Sequence, residues 1–379
     1  MSTHSSVSQD ARSARGHVVP DPVVIGGHRI GRGEPVFVIA EAGVNHDGSV
    51  ATALDMVDVA TRAGATAVKF QVFRASALAS ASAPAATYQR SATGTASQRA
   101  MLSRLELSED DFARVADRCR ARGILFLATP FATDDVATVV RLGTCAIKIA
   151  STDINNTPLL RAAADTGLPM IVSTGASTPR EIRIGVDHIL RCARGTAPYA
   201  PARANAPALV LLHCVSCYPT PLDAANLGAI AALEAAFRVP CGYSDHTRST
   251  QTGGWAVAAG ARVVEKHFTI DRARRGPDHA VSLDPDELRD YVSAIRRAEQ
   301  AMGTGVIGMS PTEADVRAVA RKSVVAAADI PAGAILRADM LALKRPGGGI
   351  APDALATVIG RRTRVDIPRD TLLTWDVVA

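Results

Sequence analysis

The sequence predicts an α/β chain: a (β/α)8 barrel followed by a small β-rich domain. Three observations carry this. Eight short, nearly continuously apolar runs recur between residues 36 and 269, and helical patterns alternate with them. After residue 303 the texture changes to short β-rich runs with Pro-Ala-Gly and Gly-Gly-Gly turns. Strands covered on both faces read as unbroken apolar runs, and strand–helix alternation implies parallel βα units. Eight such units over roughly 260 residues fit a closed TIM barrel better than a doubly wound sheet.

Residues 1–17 contain Ser, Arg and His with no apolar stretch, the pattern of a disordered tail rather than a signal peptide. The segment GGHRIG lies within an expected hairpin, about residues 22–33, that plugs the bottom of the barrel. The first four strands are expected in VFVIAEAG (36–43), AVKFQVF (67–73), ILFLATPF (124–131) and AIKIAS (146–151). The other four are expected in MIVSTG (170–175), ALVLLHCVS (208–216), VPCGYSDH (239–246) and ARVVEKHFT (261–269). Helices are expected over 49–65, 110–123, 178–195 and 284–303, which open on Ser, Asp or Thr and often close on Gly, the residues that cap helix ends. The insert 74–109 leaves the second strand and is long enough to be a mobile lid. The expected division is a barrel domain over 18–303, a linker with a short helix over 304–320, and a β-rich domain over 321–379. The last is small enough to lean on a partner.

Hydrophobic residues make up 47% of the chain, which excludes global disorder. The net charge of +5 comes without a dense Lys/Arg block, so no nucleic-acid partner is expected. No run of eighteen apolar residues occurs, so no membrane span is expected. Six scattered cysteines fit reduced thiols and a cytoplasmic location. Cys214 and Cys217 form a lone C-x-x-C, read as core thiols rather than a zinc or redox pair.

The polar residues gather in one place. Glu41, Lys69, Gln71, Thr129, Lys148, Ser151, Ser173, Thr174, Ser216, Ser244, Asp245, His246 and His267 all fall at or near strand C-terminal ends. That rim is where barrels do chemistry. Lysines inside strands are costly unless paired. Lys69 and Lys148 could pair with Glu41 or Asp153 as core ion pairs. With the neighbouring hydroxyls and the Gly175 backbone they could equally cradle a phosphate or carboxylate. His246 and His267 end adjacent strands and could ligate one divalent ion in an open site, or be hydrogen-bonded structural residues. Strand alternation turns Lys266 outward.

These residues fall in stretches that resemble the N-acetylneuraminate (sialic acid) synthase family, which includes the legionaminic and pseudaminic acid synthases. The matching stretches are IAEAGVNHDGS, AVKFQVF, ATPF, IKIASTDINNTPLL, IVSTGAS, LLHCVSCYPTP, GYSDHT, EKHFT and GPDHAVSLDP. RKSVVAAADIPAGAIL and LKRPGGGI resemble the family's antifreeze-like (SAF) domain. The likeness spans about 30–379. It implies condensation of phosphoenolpyruvate with an N-acetylated hexosamine, N-acetylmannosamine first and a diacetamido-trideoxy hexose as the alternative, giving a nonulosonic acid and phosphate.

By the same resemblance Lys69, Thr129, Lys148, Ser151, Ser173, Ser216 and Ser244 would hold phosphoenolpyruvate. His246 and His267 would ligate a divalent metal, Mn2+ before Mg2+ or Co2+, that polarises the sugar aldehyde. Glu41 would be the general acid/base. Gln71, Asp153, Tyr218 and Asp278 would contact the sugar, and the arginine loop 271–277 would shape the pocket mouth. Arg345 of the partner subunit would reach the N-acetyl group in a domain-swapped homodimer. Two departures stand out: the family often has Asn at the position of Ser216, and commonly Gly-Glu or Gly-Asp where this chain has Thr152-Asp153.

Overall fold

The computed structural model describes residues 20–192 and 208–379. The tail over 1–17 lies outside the described residues, as does the end of the third helical stretch, 193–195. The chain divides into two compact units, Met1–Thr304 and Gly305–Ala379.

The first unit opens with an antiparallel hairpin, β1 (Val23–Ile25) and β2 (His28–Ile30). Eight strands follow: β3 (Phe37–Gly43), β4 (Ala67–Val72), β5 (Leu125–Pro130), β6 (Ile147–Ile149), β7 (Met170–Ser173), β8 (Leu209–Cys214), β9 (Cys241–Asp245) and β10 (Val263–His267). They pair in parallel in chain order, and β10 closes on β3 to complete a barrel. The outer layer holds α1 (Val50–Arg62), α2 (Ala75–Leu78), α3 (Thr87–Thr93), α4 (Gln98–Ser103), α5 (Glu109–Arg122), α6 (Thr133–Arg141), α7 (Thr157–Asp165), α8 (Pro179–Cys192), α9 (Ala229–Phe237), α10 (Thr252–Ala258) and α11 (Pro285–Met302). Cap chemistry fixes several starts. Ser49 accepts from Thr52 N–H at the head of α1, and Ser108 with Asp111, and Asp284 with Glu287, form capping boxes on α5 and α11.

Alternation along each strand builds two cores. Outward residues such as Val38, Ala40, Val68, Phe70 and Phe126 pack against helix residues including Met56, Val57, Phe112 and Val115. Inward residues, most of them in the strands' N-terminal halves, among them Phe37, Ile39, Leu127, Ile171, Val210 and Val263, join Val23, Ile25 and Ile30 of the hairpin in a second cluster. The lower barrel is therefore packed with apolar side chains, with the hairpin as its floor. Inward positions turn polar from mid-strand toward the C-terminal ends, as at Glu41, Lys69, Lys148, Glu265 and His267.

Lys266 does face away from the barrel axis, but it is only 1% exposed. Its register neighbour on β9 is Asp245, whose Oδ2 lies 3.1 Å from the ammonium. Tyr291 of α11 donates to that same oxygen at 2.9 Å, the Thr252 hydroxyl also donates to it, and the ammonium donates to the Thr247 carbonyl. Asp245 therefore belongs to the strand–helix layer rather than to the barrel mouth. A buried pair this fully hydrogen-bonded can offset its desolvation.

The insert 74–109 is folded rather than open loop. Ala75, Ala79, Met101, Leu102 and Leu105 cluster with Val44 and Phe73 and fasten α2 and α4 to the barrel's upper rim.

In the second unit, the linker region holds an exposed helix α12 (Ala314–Ala320), and β11 (Ser323–Ala326) pairs antiparallel with β12 (Leu341–Lys344). A short helix α13 (Leu355–Val358) follows, and Val324, Ile330, Leu336, Ile350, Ile367 and Leu373 form part of a separate small core. Arg345, just past β12, is exposed. Among the described residues no helix is long and apolar enough to cross a membrane.

Candidate active site at the barrel mouth

Strand register explains why the charges meet. Glu41 on β3 is in register with Lys69 on β4 and with His267 on β10, and in-register neighbours share a face of the sheet. Lys69 Nζ lies 2.7 Å from Glu41 Oε2 and donates to Thr129 Oγ1 at 2.9 Å. Glu265, two residues before His267, faces the same way. Its Oε2 is 3.7 Å from Lys69 Nζ, its Oε1 is 3.7 Å from Lys148 Nζ, and Oε1 accepts from Ser244 at 3.0 Å. Lys148 also donates to Ser173 Oγ at 2.7 Å and to the Ile149 carbonyl at 3.2 Å. Two lysines and two glutamates, all buried, make a formally neutral lattice.

The four charges are not equivalent. Burial pushes the Glu41 carboxyl up, and Lys69 offsets this only in part. Burial acts the same way on Glu265, but Lys148 and Lys69 on either side outweigh it and hold the carboxyl down at about 2. Burial also works against the Lys69 ammonium, yet Glu265 and Glu41 together raise it. For Lys148 burial prevails, and the ammonium is held below the ordinary lysine value. Lys148 is thus the cation with the most to gain from an incoming anion.

A second set of donors adjoins it. Gly175 N–H donates to Ser151 Oγ at 3.0 Å. A Cβ at Gly175 would lie 2.5 Å from Ser216 Oγ, 2.9 Å from Cys214 Sγ and 3.0 Å from Ser151 Oγ, so only glycine fits where these groups converge. Ser216 is exposed in the loop after β8 and still reaches this point.

The histidines stand beside the lattice. His246 Nδ1 lies 2.8 Å from the Val215 carbonyl and 3.7 Å from Cys214 Sγ. A carbonyl only accepts, so Nδ1 carries a proton, and Nε2 is the nitrogen that could offer a lone pair when the ring is neutral. Burial works against the charged ring, but Cys214 and the Val215 carbonyl outweigh it and raise the His246 imidazole above its ordinary value. His267 Nδ1 is buried without a hydrogen-bond partner. Burial, with His246 and Lys69 adding to it, holds the His267 ring well below the ordinary imidazole value and therefore neutral. The two ring centroids are 5.5 Å apart, and Tyr218 lies 4.1 Å from His246 and 6.1 Å from His267.

Gln71 donates to Glu41 Oε1 at 3.3 Å. A bulge interrupts β3 after Glu41, where Gly43 takes a left-handed φ of 55°. A Cβ there would come 3.4 Å from Glu41 Oε1 and 3.5 Å from Gln71 Nε2, so the bulge leaves both side chains room. Asp278 is buried, and burial pushes its carboxyl up to about 6. Its loop is clasped from both sides. His279 bonds Asp47 Oδ1 at 2.9 Å and Thr269 Oγ1 at 2.7 Å, Asn45 donates to Ser282 Oγ at 2.9 Å, and Ser282 donates to the Asp278 carbonyl at 2.6 Å.

Two expectations need correction. The second carboxylate partner of the lysines is Glu265, not Asp153. Ser151–Asp153 form a 3-10 turn beyond β6, and Asp153 accepts from Asn156 at 2.9 Å. In loop 271–277, Arg272 pairs with Glu287 at the head of α11 and Arg274 pairs with Asp47 at 2.9 Å, so two of its arginines also brace the loop. The C-x-x-C is not a pair of core thiols, because β8 ends at Cys214 and leaves Cys217 exposed.

Residues 56–307 match the NeuB family model and residues 321–379 match the SAF domain model. An N,N'-diacetyllegionaminic acid synthase of Legionella pneumophila is 39% identical over 341 residues, 90% of this chain and 94% of that protein. A pseudaminic acid synthase of Campylobacter jejuni is 32% identical over 335 residues, 88% of this chain and 93% of that protein. The crystal structure of an N-acetylneuraminic acid (sialic acid) synthetase from Leptospira borgpetersenii is similar with a TM-score of 0.68 at 33% identity, covering 79% of this chain and 96% of that one. With the barrel, the small β domain and these likenesses in agreement, the chain belongs to the NeuB family, enzymes that form nonulosonic acids from phosphoenolpyruvate, and carries a SAF domain after its barrel.

Proposed function

We propose that this enzyme condenses phosphoenolpyruvate with the open-chain form of a diacetamido-trideoxy hexose, giving a legionaminic-type nonulosonic acid and phosphate. The observation that carries the condensation is the neutral lattice of Lys69, Glu41, Glu265 and Lys148, ringed by hydroxyls and set beside His246 and His267, the latter with an unpartnered Nδ1. The choice of sugar rests on relatives at 39% and 37% identity that are both N,N'-diacetyllegionaminic acid synthases. Phosphoenolpyruvate brings no nitrogen, so a product with two N-acetyl groups must draw both from the sugar. N-acetylmannosamine is the second reading, favoured by the 33% identity to a sialic acid synthetase.

In this reading Lys69, Lys148, the hydroxyls of Thr129, Ser151, Ser173, Ser216 and Ser244, and the Gly175 N–H hold the phosphate and carboxylate. Charge-assisted contacts to both anionic groups fix phosphoenolpyruvate with C3 toward the sugar. Glu41, raised by burial and in register with His267, moves a proton at the sugar's aldehyde oxygen. The bond from C3 to the sugar C1 forms from the enol π electrons, water adds at C2, and the C2–O bond to phosphate breaks. Gln71, Tyr218 and Asp278 orient the sugar, and Asp153 stands further out.

The histidines fit a divalent ion. An imidazole nitrogen binds such an ion at about 2.0–2.1 Å, and ring centroids 5.5 Å apart allow one ion to be shared. Among the described residues no group of three or more His, Cys, Asp or Glu could hold a metal, so water and substrate oxygens complete the site. The ion, Mn2+ before Mg2+ or Co2+, supplies Lewis-acid polarisation of the aldehyde when bound.

The test is a sugar panel with Mn2+-loaded enzyme, read by phosphate release and product mass. The diacetamido-trideoxy sugar is expected to show at least about tenfold higher kcat/KM than N-acetylmannosamine. Preference for N-acetylmannosamine would overturn the sugar assignment. No phosphate release with either would overturn the condensation.

The second unit enters through Arg345 of the partner subunit, proposed to complete the sugar site of a domain-swapped dimer. Mixing two inactive variants, His267→Ala and Arg345→Ala, should restore up to about a quarter of the sites, since half the dimers are mixed and each carries one intact site. No recovery despite demonstrated subunit exchange would mean that Arg345 serves its own chain's barrel or none, and would remove the domain swap from this reading.

A further inference from the structure

We infer that Tyr88, carried by α3 of the insert, is a specificity-determining residue that forms with Tyr218 an aromatic wall of the sugar site and takes up the sugar's methyl groups. The substrate class in this inference rests on the diacetamido reading above.

Helix α3 has no packing reason to exist where it does. It buries none of its seven residues, whereas α2 and α4 on either side of it are fastened by Ala75, Met101 and Leu102. What α3 delivers is one ring. Tyr88 stacks on Tyr218 with centroids 5.4 Å apart and planes 22° from parallel. Tyr218 in turn lies 4.1 Å from His246. The three rings therefore run as one series from the histidine pair out to the insert. Tyr88 also lies close enough to Asp278 for that carboxylate to reinforce burial in keeping its phenol protonated. Among the described residues its hydroxyl meets only the Gln89 amide, which donates to it at 3.4 Å. No contact ties Tyr88 to Lys69, Lys148 or the hydroxyls of the anion cradle among the bonds of the described residues.

A diacetamido-trideoxy hexose carries three methyl groups, two on its acetamides and one in place of a terminal hydroxymethyl. N-acetylmannosamine carries one methyl and more hydroxyls. Aromatic rings offer broad apolar surface at low conformational cost, and a hydrophobic pocket discriminates by what each added methyl buries. Tyr88 therefore serves the methyl-rich sugar and leaves phosphoenolpyruvate untouched.

The experiment compares wild type, Tyr88→Phe and Tyr88→Ala, all Mn2+-loaded, with both sugars and with phosphoenolpyruvate varied separately. Tyr88→Ala is expected to lower kcat/KM for the diacetamido sugar by about tenfold to a hundredfold. N-acetylmannosamine should change by less than about threefold, and the phosphoenolpyruvate KM by less than about twofold. Tyr88→Phe should behave as wild type, since the ring and not the hydroxyl forms the wall. Equal losses on both sugars together with a raised phosphoenolpyruvate KM would mean a structural role and overturn the inference, as would no loss at all, or a Phe variant as poor as the Ala variant. Should wild type use N-acetylmannosamine alone, the substrate reading fails, and Tyr88 is judged on that sugar. A raised sugar KM with phosphoenolpyruvate unmoved keeps it in the sugar site; an unmoved sugar KM removes it.

Discussion

Glu265→Ala should destabilise the barrel by about 3–5 kcal/mol, the usual result of removing one partner from a buried ion pair. At about 2–4 °C per kcal/mol for a domain of this size, the melting temperature should fall by on the order of 10 °C. Among the described residues Glu265 is the only group that forms an ion pair with both Lys69 and Lys148. Without it Lys69 keeps Glu41 at 2.7 Å, but Lys148 keeps only hydrogen bonds to Ser173 and the Ile149 carbonyl. Lys148 is already held low by burial, so part of the loss will be softened by release of its proton. Glu265→Gln, which preserves shape and the acceptor for Ser244, should lose less. Phosphoenolpyruvate supplies the sharper check. Its anionic groups would replace the missing carboxylate, so saturating phosphoenolpyruvate should raise the melting temperature of Glu265→Ala more than that of wild type. A variant that melts as wild type does, or one that gains nothing extra from phosphoenolpyruvate, would remove Glu265 from the anion cradle.

Glu265 also shows where sequence reading stops. The eight strands were legible because each is covered on both faces and so reads as an apolar run, and the mouth was legible because polar residues cluster at their C-terminal ends. Glu41, Lys69, Lys148 and the two histidines stand out as polar interruptions of apolar strands. Glu265 stands out too, but its partners depend on β10 lying against β9 and β3, which no local pattern states. Parity was the available signal: Val263, Glu265 and His267 share one face. The same limit applies to Lys266. Alternation turns it outward, but only the register that sets it beside Asp245 makes the outward side a buried ion pair under α11. Tyr88 was invisible for the opposite reason. Its insert is Ala- and Ser-rich with no helical or strand period, and its contact with Tyr218 is set by chain folding between residues 130 positions apart. The partners that hold Arg272 and Arg274 were equally hidden, because Asp47 is distant in the chain and Glu287 belongs to a helix cap.

His267→Ala should abolish turnover while leaving the fold nearly untouched, and the contrast between those two results is the test. His267 Nδ1 is buried and bonded to nothing, so its removal forfeits no hydrogen bond and relieves an unsatisfied group. The melting temperature should therefore hold within about 2–4 °C, the shift of roughly 1 kcal/mol. His246→Ala should cost more, about 1–3 kcal/mol, because its Nδ1–H serves the Val215 carbonyl and its ring packs on Tyr218 at 4.1 Å. Lewis-acid polarisation of a carbonyl is worth several kcal/mol, so loss of the ion should lower kcat by about a thousandfold. Chelation of wild type by EDTA should do the same, and added Mn2+ should restore wild type but not His267→Ala. Metal content gives a readout that does not depend on activity: bound Mn2+, counted by electron paramagnetic resonance on protein at known concentration, should fall from about one per chain to near zero in either histidine variant. Wild-type Mn2+ occupancy in His267→Ala would show that the ion sits elsewhere. Full turnover by enzyme stripped of metal would overturn the assignment of His246 and His267 as metal ligands, with the lysine cradle unaffected by that outcome.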